Sequence, residues 1–405
     1  MVVLDSTLMA PWDDGASSPR IEDVQTFVTA PEGLNLVVVR VDTDIPGLYG
    51  LGCGTHAFRA KAVKDIVDDY LTPRVIGRSA RDVTDIFQTL KLAPYWRGGP
   101  VDNSALSGID MALWDIKAKQ ANEPVWSLTG GLVRSYLPTY ISVFATSLEE
   151  LVAGVQRRWD EGYRRFRPMI AGHDYGSQRC TGRAYIADWV TTLTRLVEEF
   201  GSEAEYVVDV HGRLQPQEVF ELARVMDDFP LVYLEDPFPH ELTRWLPQLR
   251  GFSSQRLAIG ETFASIEEFL PLIVASSIDV VRSHISMIGG FSAAHRLATL
   301  AEQFGVQTAW HGPLDLSPLG HAANAALGLA SPNFGVHEHH EPSEAAIEVF
   351  PGAHRADAGR IMPWHSPGWG VGFDEEAARK YPPMSPFTIS RLEANRALDG
   401  SLLKP

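Results

Sequence analysis

The pattern of apolar positions changes along the chain. Up to about residue 55, short apolar runs punctuated by proline and glycine favour antiparallel strands, in VQTFVTA, LNLVVVRVDTD and LYGLGCGT. Apolar residues then recur at helical spacing as far as about residue 128. The first such segment, FRAKAVKDIVDDYLTPRVIG, is predicted to end at Pro73, and the longest is SALSGIDMALWDIKAKQAN. Strands succeeded by helices, without alternation between them, predict an α+β domain separate from the rest of the chain.

From about Tyr136 onward, predicted strands and helices alternate. Eight apolar runs that are typical of strands are separated by seven segments with helical periodicity. Parallel strands joined by right-handed helical crossovers close into a barrel. We therefore predict an α/β fold: a modified (β/α)8 TIM barrel of (β/α)7β composition with an α+β capping domain. The capping domain is predicted at residues 1–130, completed by the C-terminal segment 380–405, and the barrel at residues 131–379.

Three successive strands of the predicted barrel each end in an acid. The runs YVVDVHG, LVYLEDP and LAIGET present Asp209, Glu235 and Glu261 at a regular spacing of about 26 residues, which fits one strand, one helix and two loops. The ends of parallel barrel strands meet at one edge, where converging carboxylates would raise one another's pKa values. A divalent cation relieves this repulsion, and an oxygen shell suits Mg²⁺. The alternative is that each acid only caps the next helix along the chain.

Charge and composition exclude several classes of partner. The net charge of −16 argues against nucleic acid or an anionic membrane, although a bound cation and local arginines still allow an anionic substrate. Two cysteines, Cys53 and Cys180, favour a reducing compartment without a disulfide framework. The N-terminus lacks the pattern of a secretory signal, and no run approaches the ~18 apolar residues of a membrane span. We therefore predict a cytoplasmic protein.

Further polar residues fall near the predicted strand ends. Together with the three acids, these residues would supply a Lewis acid, cations that hold a carboxylate, and acid–base groups. This combination suits the removal of a proton beside a carboxylate, with loss of a β-hydroxyl. The α-proton of a carboxylate is very weakly acidic, and a bound divalent cation makes its removal feasible. Any single histidine is more often structural than catalytic. The candidates are Arg167, Tyr175, His211, Arg282, His311, Asp315 and Glu338.

The chain resembles the enolase superfamily over nearly its whole length. The resemblance rests on the capping-domain pattern, on IDMALWDIKAKQANEPVWSLTGG at 109–131 and on the three barrel acids. Within the superfamily it is similar to the mannonate dehydratase subgroup, which also holds starvation-sensing proteins and proteins called galactonate dehydratases. The motifs are YWRGGP, the histidine two residues after the first barrel acid, WHGPLDLSP and NFGVHEHH.

This resemblance implies a Mg²⁺-dependent dehydratase that converts an aldonate, such as D-mannonate or D-gluconate, to a 2-keto-3-deoxy sugar acid. It implies that Tyr175 is the general base, that Arg167 lowers its pKa and that His211 protonates the departing 3-hydroxyl. It also implies a homo-oligomer. The remaining implied roles are Mg²⁺ ligation by Asp209, Glu235 and Glu261 and substrate contact by Arg282, His311, Asp315 and Glu338.

The sequence departs from the motifs of related superfamily members at positions that supply the catalytic base or contact the substrate. The second barrel strand contains Arg165-Phe166-Arg167 in place of a KxK pair, so a lysine base is absent. The first barrel strand, ISVFATS, has neither histidine nor asparagine, Ala57 stands where a substrate-binding asparagine is expected, and the loop RPMIAGHDYGSQ is short. Two alternatives therefore stay open: a divergent member that acts as a regulatory or binding protein, and a member that catalyses racemisation or cycloisomerisation.

Overall fold

The N-terminal part of the chain forms a three-stranded antiparallel sheet covered by helices. The computed structural model describes residues 18–170 and 182–385. Strand β2 lies between β1 and β3, as expected for a meander. The elements are β1 (Ile21–Thr29), β2 (Leu36–Thr43), β3 (Tyr49–Cys53), a 3₁₀ turn (Ala57–Arg59), α1 (Ala60–Ile66), a π-helical turn (Val67–Leu71), α2 (Thr72–Val75), α3 (Val83–Leu92), α4 (Pro100–Ala121) and α5 (Val125–Leu128).

The first long helical segment does not end at Pro73, contrary to the sequence-based prediction. A π-helical turn precedes the proline, and the Thr72 N–H donates to the Val67 carbonyl five residues back. Pro73 then lies in the first turn of α2, where the missing N–H of a proline leaves no hydrogen bond unmade. The chain therefore stays helical as far as Val75.

Helix α4 packs very closely on β3, and two glycines allow this approach. A Cβ atom at Gly50 would lie 1.9 Å from the Ala112 carbonyl oxygen, and one at Gly52 would lie 1.9 Å from the Gly108 carbonyl oxygen. Any side chain in these places would force the helix away from the sheet. The close contact is what makes α4 a buried helix, with apolar residues such as Ile109 on its buried surface.

Eight parallel strands of the described residues form the barrel, as predicted. Each strand pairs with the next along the chain, and β11 pairs with β4. Hydrogen bonds from the Thr308 N–H to the Asn333 carbonyl and from the Gly335 N–H to the Thr308 carbonyl join β10 to the segment before β11. The strands are β4 (Leu137–Ala145), β5 (Arg165–Ile170), β6 (Glu205–Asp209), β7 (Leu231–Glu235), β8 (Leu257–Ile259), β9 (Val280–Val281), β10 (Gln307–Thr308) and β11 (His337–His339).

Helices connect these strands, as the alternating pattern predicts, and seven such connections contain helix within residues 18–170 and 182–385. The fourth connection is mainly a 3₁₀ segment, and its α-helix is only five residues long. Apolar faces of the helices pack on the outside of the barrel, as at Leu193 and Leu222. The helices are α6 (Leu148–Asp160), α7 (Gly182–Phe200, continuing into a 3₁₀ turn Gly201–Glu203), α8 (Pro216–Met226), a 3₁₀ segment (His240–Trp245) with α9 (Leu246–Arg250), α10 (Ile266–Val274), α11 (Phe291–Gln303) and α12 (Pro318–Ala330).

The segment after the barrel returns to the capping domain. It contains α13 (Glu344–Val349), β12 (Arg360–Ile361), which pairs antiparallel with β4, and α14 (Glu375–Ala378). The Trp369 indole is fully buried and donates to the Leu51 carbonyl of β3. Asn35 and Met384 exchange two hydrogen bonds. These contacts bind the described part of the C-terminal segment to the first sheet, and residues 386–405 lie outside the described residues.

None of the helices in residues 18–170 and 182–385 combines the length and the apolar character needed to cross a membrane.

Candidate metal centre and active site

The three barrel acids lie at the carboxyl ends of adjacent strands. Asp209 and Glu235 are the last residues of β6 and β7, and their backbones pair directly. Glu261 comes two residues after the end of β8. Their ligand atoms belong to two overlapping groups, each within 4.8 Å: Asp209, His211 and Glu261, and Glu235, Asp236 and Glu261. Glu261 therefore joins both groups, and Asp236, which had no assigned role in the sequence-based prediction, adds a fourth acid.

The electrostatics of these acids fit a bound divalent cation. Burial and the charges of Glu235 and Glu261 raise the pKa of Asp209 well above its usual value. Burial also raises the pKa values of Glu235 and Asp236. Glu235 Oε2 and Asp236 Oδ2 are buried without a hydrogen-bond partner among the described residues. Buried carboxylates in this state are costly, and a hard cation would hold them ionised and satisfy the free oxygens.

A continuous chain of ion pairs runs through the interior of the barrel behind these acids. Arg282 Nε donates to Glu235 Oε1 across 2.7 Å, and its Nη2 donates to Glu338 Oε2 across 2.8 Å. Arg167 Nη1 donates to Asp209 Oδ2 across 3.1 Å and lies 3.2 Å from Glu338 Oε1. Burial acts to raise the pKa of Glu338, but the charges of Arg282 and Arg167 outweigh it and hold that pKa well below its usual value.

Arg282, which follows β9, lies in the barrel interior, whereas Arg165 of β5 lies away from the acids. Arg282 is completely buried, and its guanidinium contacts the rings of Tyr140 and Tyr233, 5.9 and 5.8 Å from their centroids. It donates hydrogen bonds to Glu235, to Glu338 and to two backbone carbonyls, so it positions the acids from behind. Arg165, in contrast, is the first residue of β5 and pairs with Glu205, the first residue of β6, at the amino ends of the strands. Arg165 therefore lies outside the site.

His211 lies directly against Asp209. Its Nε2 is 3.1 Å from Asp209 Oδ2, and its backbone N–H donates to Oδ1 of the same carboxylate. Burial lowers the pKa of His211 to about 3, while the charge of Glu261 acts in the opposite direction. Burial therefore favours the neutral imidazole beside the Asp209 carboxylate.

Two residues that follow strand ends, His211 and Asp236, adopt left-handed backbone conformations. His211 has φ 52° and Asp236 has φ 34°. This region costs a non-glycine residue of order 1 kcal/mol or more, and such strain is typical of functional sites. The turn at His211 also packs closely on the loop after β7, because a Cβ atom at Gly212 would lie 2.6 Å from the Pro239 backbone. The strained turns hold both side chains beside the acids.

His311 pairs with the third acid from the other side of the site. Its Nε2 lies 3.1 Å from Glu261 Oε2. Burial acts to lower the pKa of His311, but the hydrogen bond and charge of Glu261 outweigh it, so the pKa is raised. Burial acts to raise the pKa of Glu261, and the hydrogen bond from His311 together with the nearby histidine charges brings it below its usual value. Asp315 Oδ1 lies 4.0 Å from His284 Nε2, close to His311.

The first barrel strand presents an aromatic ring at the rim of the site. Tyr140 and Ser142 of β4 point into the barrel, where the Ser142 hydroxyl accepts from Arg167 Nε across 3.0 Å. Because side chains alternate along a strand, Phe144 lies on the same face, one step nearer the rim. It is 73% exposed. An exposed apolar ring therefore stands at this point of the rim, whereas Ala57 of the capping domain is buried.

The structure thus brings together Arg167, Asp209, His211, Glu235 and Glu261 around one rim of the barrel. The sequence places Asp236 and His284 at strand ends without giving them a role, and it does not single out Ser142, which lies within the apolar run of β4. Tyr175, the predicted base, and Cys180 lie outside the described residues.

Comparison with known proteins agrees with this fold and site. The enolase C-terminal domain-like family matches residues 150–377, and the N-terminal domain family of mandelate racemase and muconate lactonizing enzyme matches residues 16–130. The chain belongs to the enolase superfamily. It is an enzyme of the hydro-lyase class, and Mg²⁺ is the cofactor of this superfamily.

Individual relatives match over almost the whole chain. A D-galactonate dehydratase family member from Enterococcus gallinarum (strain EG2) is 40% identical over 401 residues, covering 95% of this chain and 98% of the relative. A member of the same family from Catenulispora acidiphila is 38% identical over 412 residues, covering 98% and 96%. The crystal structure of an enolase from Pantoea ananatis, with bound D-gluconate and Mg, has a TM-score of 0.90 at 37% identity and covers 96% of this chain and 100% of that chain.

Proposed function

We propose that this protein is a Mg²⁺-dependent dehydratase of a sugar acid, an aldonate such as D-mannonate or D-gluconate. It removes the proton on C2 and expels the 3-hydroxyl, which gives a 2-keto-3-deoxy sugar acid. The observation that carries this proposal is the group of buried acids with unpaired oxygens at the carboxyl edge of the barrel, beside Arg167 and His211. The D-gluconate and Mg bound to the Pantoea ananatis relative support the substrate class.

Asp209, Glu235 and Glu261 would hold the cation. When bound, Mg²⁺ supplies a Lewis acid that stabilises negative charge on the substrate carboxylate. Arg282 fixes the orientation of Glu235 through its Nε hydrogen bond, and its charge favours the ionised carboxylate against the effect of burial; Arg167 acts in the same way on Asp209. The protein therefore presents oriented carboxylates before the cation arrives, so that little reorganisation accompanies binding.

Different residues are proposed to act as the acid and the base. Tyr175 is the proposed base, and the positive charge of Arg167 would lower its pKa toward neutrality. His211 is the proposed acid for the departing hydroxyl. It gives a proton only after becoming an imidazolium, which the negative charges of Asp209 and Glu261 beside it stabilise. His311, Asp315 and Glu338 are proposed to orient the substrate, whereas Arg282, which the resemblance implies as a substrate contact, is completely buried and is proposed to act through Glu235 and Glu338.

A panel of aldonates tests the proposal. The protein is incubated with each acid and Mg²⁺, and the 2-keto acid product is measured by its semicarbazone absorbance. Turnover of at least one aldonate, abolished by chelation and restored by Mg²⁺, is expected. No product from any aldonate would contradict the proposal, and tight Mg²⁺ binding in the same protein would then favour a regulatory or binding role. Deuterium exchange at C2 without elimination would favour racemisation or cycloisomerisation.

A homo-oligomer in the cytoplasm belongs to the same proposal. It is supported by the family resemblance and by the composition of the chain. Light scattering after size-exclusion chromatography measures the molar mass, and a mass equal to one 44.6 kDa chain would contradict the oligomer.

A further inference from the structure

A second group of potential ligands lies beside the proposed Mg²⁺ site. His284 and His311 come after β9 and β10, and their backbones form a parallel bridge. Their ring centroids are 5.4 Å apart. One ligand atom each from His284, His311 and Asp315 lie within 4.8 Å of one another. Unlike the acids at the first site, this group offers two imidazoles and a single carboxylate.

Both imidazoles have buried nitrogens without hydrogen-bond partners. His284 is 1% exposed, and neither of its ring nitrogens has a partner among the described residues. His311 Nε2 contacts Glu261, whereas its Nδ1 is buried without a partner in the described part of the chain. Buried polar atoms are seldom left unpaired in native proteins, because each such atom costs about 1–3 kcal/mol. These atoms therefore indicate a ligand that pairs with nitrogen lone pairs.

The contact between His311 and Glu261 sets which nitrogen of His311 is available. A carboxylate accepts a hydrogen bond, so the proton of the neutral ring lies on Nε2 and the lone pair lies on Nδ1. Metal-binding histidines commonly donate their other N–H to a carboxylate in this way, and the carboxylate makes the ring a better ligand. Glu261 thus orients His311 for a cation on the side away from the Mg²⁺ site.

We propose that His284, His311 and Asp315 form a second cation site, which takes a divalent transition metal such as Zn²⁺. Imidazole nitrogen favours Zn²⁺ over Mg²⁺, whereas the oxygen-rich first site favours Mg²⁺. Three protein ligands leave one position of a tetrahedral Zn²⁺ open. Because His311 and Asp315 are also proposed substrate contacts, Zn²⁺ here would compete with the sugar acid. That consequence rests on the proposed function, but the binding itself does not.

Titration with ZnCl₂ in saturating Mg²⁺ tests this site in the full-length protein. Calorimetry is expected to show one Zn²⁺ per chain that Mg²⁺ does not displace. The Asp315→Asn and His284→Gln variants are expected to bind Zn²⁺ at least about tenfold more weakly, since loss of even an outer partner of a ligand has an effect of this size. Replacement of the exposed His365 by glutamine is the matched control and should leave the affinity unchanged.

Two further measurements separate this site from the Mg²⁺ site. The Glu235→Gln variant is expected to lose Mg²⁺ affinity while it binds Zn²⁺ as the wild-type protein does. Co²⁺ added to Mg²⁺-saturated protein should give visible absorption bands of a nitrogen-ligated ion, and the bands should disappear in the His284→Gln variant. Absence of Zn²⁺ binding in excess Mg²⁺, or wild-type affinity in Asp315→Asn, would overturn the proposal. The Asp315 variant decides the question even if His284→Gln does not fold, because Asp315 is only partly buried. None of these readouts depends on turnover.

Discussion

Arg282 Nε donates to Glu235 Oε1 across 2.7 Å, and both side chains are completely buried. Arg282 lies beyond the end of β9, and Glu235 ends β7, so the bond crosses the interior of the barrel past β8. It couples the stability of the barrel to the orientation of a proposed metal ligand. The relationship predicts that changes at Arg282 affect folding first and metal binding second.

Arg282→Ala is expected to lower the free energy of unfolding by about 3–5 kcal/mol, because Glu235 would stay buried without its arginine partner and Glu338 would keep only Arg167. Urea denaturation monitored by circular dichroism measures the change. The same replacement of the exposed Arg244 is the control and is expected to have an effect below about 0.5 kcal/mol. Equal stability of the Arg282 variant and the wild-type protein would contradict a structural role for the ion pair.

Glu235→Gln is expected to weaken Mg²⁺ binding and to abolish turnover while the fold stays intact. The amide keeps the shape of the side chain, but it removes the negative charge that faces the cation. Calorimetric titration with MgCl₂ and the far-ultraviolet circular dichroism spectrum measure the two effects. Glu205→Gln is a matched control, because Glu205 begins β6 at the opposite end of the barrel and pairs with Arg165. Wild-type Mg²⁺ affinity in Glu235→Gln would remove Glu235 from the set of ligands.

Tyr175→Phe is expected to reduce turnover roughly 10²-fold or more, the usual contribution of a positioned acid–base group. Mg²⁺ affinity and the melting temperature should stay near the wild-type values, because only one hydroxyl is lost. The rate is measured with an aldonate that the panel has identified. Tyr136→Phe serves as the control. A wild-type rate in Tyr175→Phe would assign the base to another residue, and His311 beside Glu261 is then the next candidate.

Phe144→Asn is expected to raise kcat/KM for a polyhydroxylated aldonate roughly fivefold, since a neutral hydrogen bond contributes about 1 kcal/mol. The reason is the position of Phe144 on the inward face of β4, one step nearer the rim than Ser142. Steady-state rates with each aldonate of the panel measure the effect. The control is Phe304→Asn, which changes an exposed phenylalanine after α11, away from the carboxyl ends of the strands. An unchanged or lower kcat/KM for every aldonate would show that Phe144 does not limit the substrate range.

The free energy of unfolding is expected to fall as the pH falls from about 6.5 toward 4. Burial lowers the pKa of His337 to about 3 and that of His321 well below its usual value. Between its folded and unfolded pKa values, each histidine binds a proton only in the unfolded chain, so stability rises with pH in this window. Each contributes up to about 1.4 kcal/mol per pH unit.

A comparison of wild-type protein with His337→Gln isolates one of these protons. Urea denaturation at pH 7, 6 and 5 measures the free energy of unfolding. Its dependence on pH is expected to be shallower in the variant, because up to one proton fewer is taken up on unfolding. The exposed His365→Gln control should keep the wild-type slope. Parallel slopes for wild type and His337→Gln would contradict the buried neutral state of His337. The difference between the two proteins cancels the contributions of all other titrating groups.

Much of the site could be predicted because strand periodicity and strand ends are local properties of the sequence. The acids Asp209, Glu235 and Glu261 each close an apolar run, and parallel strands place such ends together. The prediction that a helix ends at Pro73 was wrong, because a π-helical turn precedes the proline and the chain stays helical as far as Val75. Asp236 and His284 were not assigned roles, since nothing local distinguishes a buried unpaired atom from a solvated one.

The sequence by itself determined the order of strands and helices, the two-part organisation and the edge on which the acids lie, because these depend only on hydrophobic periodicity and chain direction. Only the tertiary structure decided that Arg282 bridges Glu235 and Glu338 and that His284 lies against His311. These contacts join residues far apart in the chain, and they depend on the stagger of neighbouring strands and on the depth of each side chain in the barrel. The physical reason is that a displacement of about an ångström makes or breaks a hydrogen bond or an ion pair, whereas the hydrophobic periodicity of the sequence does not depend on such displacements.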